Sequence, residues 1–131
     1  MAVAATTSTG TLTSPITLHG IPNCDTVKRA RAWMAEQGVA CTFHDFAKAG
    51  VPADRLQAWV QACGWEALLN RKGTTWRKLD DASRAAVVNA ASAMAVMRAH
   101  PSCIKRPVVD WADGASTVGF DAADWLARLR A

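Results

Sequence analysis

The chain has no close pair of cysteines. Its four, Cys24, Cys41, Cys63 and Cys103, stand far apart, which excludes the CxxC redox centre and the paired spacings of zinc ribbons. Histidines are equally scattered: none of His19, His44 and His100 lies at ligand spacing from another histidine or a cysteine, so no metal is expected. A Gly-rich phosphate cradle of the Walker type is missing, and with it the expectation of a nucleotide. No apolar run approaches the ~20 residues that cross a bilayer. Charge is not lopsided either. Fifteen Lys and Arg against eleven Asp and Glu leave a formal +4, enough to attract small anions but short of the basic face of a nucleic-acid protein. The six tryptophans are not interleaved with a basic stripe, so they belong to the core rather than to a platform for bases. Unpaired cysteines fit a reducing, cytoplasmic setting.

What is present fits one domain: 131 residues, half of them hydrophobic, can bury a real core. Residues 1–15, rich in Thr, Ser and Ala without a period and lacking the basic start of a signal peptide, are expected to form a disordered extension. The domain then runs over 16–131. Ile16 to His19, closed by Gly20 and Pro22, predicts a buried strand. Val27, Ala30 and Met34 recur at helical spacing until Gly38, and Val39, Cys41 and Phe43 alternate as in a second strand. So short a strand-helix-strand unit implies parallel pairing. Between about 50 and 100 the pattern is helical, with an expected three or four short helices that include one apolar stretch from Ala82 to Arg98. Val108 and Val109, a turn at Asp113-Gly114 and a strand from Ser116 predict a hairpin; Asp121 then caps a last helix. The order is that of an α/β, thioredoxin-like fold: a four-stranded mixed sheet, parallel β-α-β plus C-terminal hairpin, with a helical insertion.

Gly20-Ile21-Pro22-Asn23-Cys24-Asp25-Thr26 places a cysteine at a helix mouth. Free N–H groups and the positive end of the helix dipole favour thiolate over thiol there, whereas an ordinary cysteine titrates near ~8.5. The alternative is a buried core cysteine, which a place in a turn after Pro22 and Asn23 disfavours. Lys28, one helical turn on, favours the thiolate, Asp25 opposes it, and His19 at the end of the first strand is a further candidate neighbour. Cys41 and Cys63 read as structural. Cys103, three residues before Arg106, is a candidate resolving thiol. Arg71-Lys72-Gly73-Thr74-Thr75-Trp76-Arg77-Lys78 reads as a loop with four cations, either an anion cradle or a solvated surface.

The same residues carry a resemblance. Gly20 to Thr26, Trp65-Glu66-Ala67-Leu68-Leu69-Asn70, Gly73 to Leu79 and Ile104-Lys105-Arg106-Pro107 closely resemble the YffB branch of the arsenate reductase (ArsC), Spx and YffB family. The resemblance implies a nucleophilic Cys24, an Arg106 that binds an oxyanion and stabilises the thiolate, and glutathione as co-substrate. It also implies a proline, Pro107, that faces the cysteine. Asn23, Lys28, Arg71 and Lys72 are the remaining candidate contacts to substrate or glutathione. The family's alternative role is an Spx-like regulator that docks on RNA polymerase. Two departures matter. Val27 stands where the Spx regulators have a second cysteine, and Val118-Gly119-Phe120 lacks the further arginine of the arsenate reductases, which weighs against arsenate turnover.

Overall fold

β1 (Ile16–Gly20) decides the layering, because its side chains alternate between two covered faces: Leu18 is buried on one and His19 on the other. It is flanked on both sides. β2 (Cys41–Asp45) pairs with it in parallel, Ile16 opposite Cys41 and Gly20 opposite Asp45. β3 (Val108–Asp110) pairs antiparallel, with Leu18 opposite Val109 and His19 opposite Val108. β4 (Ser116–Val118) completes the hairpin and the sheet order β2-β1-β3-β4. This is the expected mixed sheet, seen in a computed structural model that describes residues 16–130. The expected extension over 1–15 lies outside the described residues.

α1 (Asp25–Glu36) lays Val27, Ala30 and Met34 on Leu18 and Val109, together with Trp111 and Trp125. Contact between helix and strand is tight at Gly20, where a Cβ would lie 2.8 Å from Val27 Cγ2. Only a residue without a side chain lets the first turn of α1 sit this low over the strand end. The other face is covered by the insertion: α2 (Phe46–Ala49), α3 (Ala53–Cys63), α4 (Trp65–Leu68), α5 (Thr74–Lys78), α6 (Asp81–Ala85) and α7 (Ala90–Ala99). Their apolar residues, among them Phe46, Leu56, Trp59, Leu68, Trp76 and Met97, pack with Val108 and Ile104. A 3-10 turn, Pro101–Cys103, leads into β3, and α8 (Ala122–Arg130) follows the hairpin, with Asp121 accepting the Asp124 N–H at 3.1 Å as expected of its cap.

Two details of the insertion differ from expectation. The stretch Ala82 to Arg98 is divided between α6 and α7, because Asn89 opens a new helix inside it through a reciprocal capping box with Ser92; α6 itself is capped at its start by Asp80, which accepts the Ser83 N–H at 2.6 Å. The cationic segment is not all loop. Gly73 opens α5 from Thr74, and burial of Trp76 against the core fixes that turn of helix. Residues 50–100 therefore hold five helices rather than three or four.

Asp110 ties these layers together. Its carboxylate accepts from His19 Nε2 at 2.8 Å, Trp59 Nε1 at 2.9 Å and Ser116 Oγ at 2.8 Å, and it pairs with Arg55 at 2.8 Å. Burial raises the pKa of this carboxyl, but the four donors outweigh it and hold the group well below the usual carboxylate range. A depressed pKa stabilises the fold fully above the unfolded value of about 3.9 and progressively less as pH falls toward the folded one. Asp110→Ala is expected to cost about 2–4 kcal/mol near neutral pH. In urea melts, its deficit against the wild type should narrow between about pH 5 and about pH 2. A deficit that is absent, or the same at both ends, would contradict this assignment.

Candidate active site around Cys24

The strand ends at Gly20, and the turn behind it is closed by the Cys24 N–H donating to the Ile21 carbonyl at 3.2 Å. Cys24 is the N-cap residue of α1, with extended backbone (φ −83°, ψ 125°), and its carbonyl accepts the Lys28 N–H at 2.9 Å. Its side chain is thereby left at the mouth of the helix beside the N–H groups of the first turn. Partial burial raises the pKa of the thiol, but the Val27 N–H, the Arg106 guanidinium by hydrogen bonding and charge, and the Thr26 N–H together bring it below its ordinary value. At the other three cysteines burial wins: Cys41, Cys63 and Cys103 are all raised.

Arg106, whose influence lowers the Cys24 thiol, stands in the loop before β3, where its peptide bond to Pro107 is cis. One nitrogen, Nη1, donates to the carbonyls of Ser102 at 2.8 Å and Ile104 at 3.2 Å. These two bonds anchor the guanidinium on one side, and among the described residues its buried Nε has no partner. A planar fork held in this way suits an oxyanion or a thiolate. Pro107 is buried, and its carbonyl accepts the Gly119 N–H at 2.8 Å, which ties the loop to the hairpin.

A second basic feature adjoins it. Leu69 and Ile104 form an isolated bridge, flanked by the Asn70 N–H donating to the Cys103 carbonyl and the Lys105 N–H to the Leu68 carbonyl, each at 2.7 Å. That bridge brings Arg71 and Lys72 to Lys105, and with Glu66 and Leu69 they line an open pocket of about 380 Å³. Arg71 also lies over the Trp65 ring, 5.4 Å from its centroid.

The structure thus joins Cys24 with Arg106, and Arg71 with Lys72. Asn23 and Lys28 are exposed, on the turn and on α1, and the charge that lowers the Cys24 thiol is that of Arg106. His19 does not serve the sulfur: it is committed to Asp110 and packed against Trp59, 4.7 Å between ring centroids. Cys103 is buried in the core cluster of the insertion, whereas Cys24 packs against the α1 cluster. A buried thiol held above its usual pKa is a poor attacker of a mixed disulfide. Sequence reasoning missed Lys105 and Glu66, although both stand inside motifs it had singled out. Among the described residues no group of three or more His, Cys, Asp or Glu can hold a metal ion, and no helix is long and apolar enough to cross a membrane.

A model of the ArsC family matches residues 19–128, which include the helix-mouth cysteine, the basic pocket and the cis-proline loop. The chain belongs to the ArsC family. An uncharacterised protein of Haemophilus influenzae is 35% identical over 114 residues, covering 87% of this chain and 98% of its own length. A solved structure of a YffB protein is 44% identical with a TM-score of 0.82, covering 87% of this chain and 98% of that one. A solution structure of an arsenate reductase (ArsC) related protein from Brucella melitensis is 45% identical, with a TM-score of 0.68 and coverage of 90% and 97%. The YffB branch of the ArsC family is therefore where this chain lies.

With limiting iodoacetamide at neutral pH, Cys24 should be alkylated first and the buried Cys103 last, as read by peptide mass spectrometry. Faster labelling of Cys41 or Cys63 would contradict the electrostatic description of the site.

Proposed function

We propose that the protein is a glutathione-dependent thiol reductase that works through a single cysteine. The observation that carries this reading is the Cys24 sulfur at a helix mouth beside an anchored guanidinium, with its pKa lowered. Cys24 as thiolate attacks the glutathione sulfur of a mixed disulfide RS–SG. The S–S bond breaks as Cys24–SG forms, and RS⁻ leaves and takes a proton from water. A second glutathione thiolate then attacks the glutathione sulfur, releasing GSSG and restoring the Cys24 thiolate. The net reaction is RSSG + GSH → RSH + GSSG, and it needs neither metal nor nucleotide. Arg106 stabilises the attacking and regenerated thiolate.

Charge complementarity supports glutathione as the partner. Arg71, Lys72 and Lys105 offer three cations and Glu66 one carboxylate in one pocket, matching the two carboxylates and one ammonium of the tripeptide. Lys28 and Asn23, exposed on the helix and the turn that carry Cys24, are the remaining candidate contacts to glutathione. A glutathione-linked reductase of this kind works in the reducing cytoplasm. Arsenate is the less fitting substrate, since Val118-Gly119-Phe120 offers no cation at the hairpin.

Exchange with a glutathionylated peptide should fall to the uncatalysed background in Cys24→Ser. Paired replacement Arg71→Glu and Lys72→Glu should raise KM for glutathione several-fold and leave kcat nearly unchanged, since uniform binding is what is lost. Full exchange by Cys24→Ser would overturn the proposal. If that variant also retained RNA polymerase subunits in a pull-down, the docking role would take its place.

A further inference from the structure

The Arg106 guanidinium is held by carbonyls, and carbonyls aim a side chain only as well as their own peptide planes are fixed. One of the two belongs to Ser102, in the middle of the 3-10 turn Pro101–Cys103. The hydroxyl of the same Ser102 lies 2.6 Å from Thr75 Oγ1 on α5, and both residues are half-buried. α5 in turn is seated by Trp76, buried beside Cys103 and Ile104 in the core of the insertion. A continuous path therefore runs from the core through Trp76, Thr75 and Ser102 to Arg106 and the sulfur. The backbone of the turn is fastened at its other end, where the Cys103 carbonyl accepts from Asn70, so the Thr75 contact supplies the side-chain tie on the Ser102 side.

We propose that the Thr75–Ser102 hydroxyl pair is a positioning element of the active site, fixing the turn whose Ser102 carbonyl holds the Arg106 guanidinium beside Cys24. Neither hydroxyl is a catalytic residue. Both act through Arg106, so the inference rests on the reading of Arg106 as the group that stabilises the Cys24 thiolate. The pair also joins the segment that carries Arg71 and Lys72 to the loop that carries Lys105 and Arg106, so the basic pocket and the thiol share one support.

The test is the pH profile of Cys24 alkylation in the full chain, with Cys41 followed in the same samples as an internal control and Arg106→Ala as a reference. Thr75→Val and Ser102→Ala should each move the Cys24 profile to higher pH and slow its labelling at about pH 6 by roughly three-fold or more. Thr75→Ser, which keeps the hydroxyl, should restore the wild-type profile, and the Cys41 profile should not move. A merely structural role would lower the thermal midpoint without moving the Cys24 profile. The inference is overturned if Arg106→Ala shifts the Cys24 profile and both hydroxyl variants leave it in place. Should Arg106→Ala itself leave the profile unchanged, the reading of Arg106 fails first, and the positioning role falls with it.

Discussion

A half-buried sulfur resists ionisation, and whatever makes it a nucleophile has to supply positive potential from within the protein. Here that potential comes from two directions that meet at one atom. The N–H groups of Thr26 and Val27 approach from the first turn of α1, and the Arg106 guanidinium approaches from the cis-proline loop. The magnitudes decide the outcome. Each pKa unit is about 1.4 kcal/mol, and a hydrogen bond to a charged acceptor is worth about 1.5–3 kcal/mol, so a few such donors outweigh the partial burial of the thiol. Cys41, Cys63 and Cys103 lack that set of donors, and burial prevails at each.

The rest of the fold can be understood as the frame that brings those two directions together. β1 is paired on both edges and covered on both faces, so its end at Gly20 is a fixed point. α1 starts where the strand stops, close enough that Gly20 has no room for a Cβ beside Val27. β3 lies directly against β1, and the loop entering it therefore delivers Arg106 to the same end of the sheet. Asp110 at the far end of β3 holds strand, hairpin and insertion through four side chains at once. The insertion contributes Glu66, Leu69, Arg71 and Lys72 to the basic pocket that Lys105 completes.

Much of this was legible in the residues. A short run closed by Gly20 and Pro22 marked β1, alternation marked β2, the 3.6-residue period marked α1, and the turn before Cys24 marked the helix mouth, because each is a local signal. Arg106-Pro107 was legible through its motif. Less legible were the elements decided by competition or by distant contacts. Ala82 to Arg98 looked continuous because the side-chain cap at Asn89 does not disturb the apolar pattern it interrupts. Arg71 to Lys78 looked like a loop because one buried tryptophan, rather than a period, makes its helix. His19 looked like a neighbour of the thiol because strand order alone does not reveal that Asp110, 91 positions away, takes its Nε2. Thr75 and Ser102 carry no signal beyond being hydroxyls; only the fold places them 2.6 Å apart.

The account depends most directly on the ionisation of Cys24, and that is observable without any substrate. The thiolate absorbs in the ultraviolet, so the difference in absorbance between wild type and Cys24→Ser, followed through a pH titration, isolates this one sulfur. A single transition with its midpoint clearly below the ~8.5 of a free cysteine is predicted. A midpoint at or above that value would mean that burial, not Arg106 and the helix mouth, governs the sulfur, and the central claim would fail.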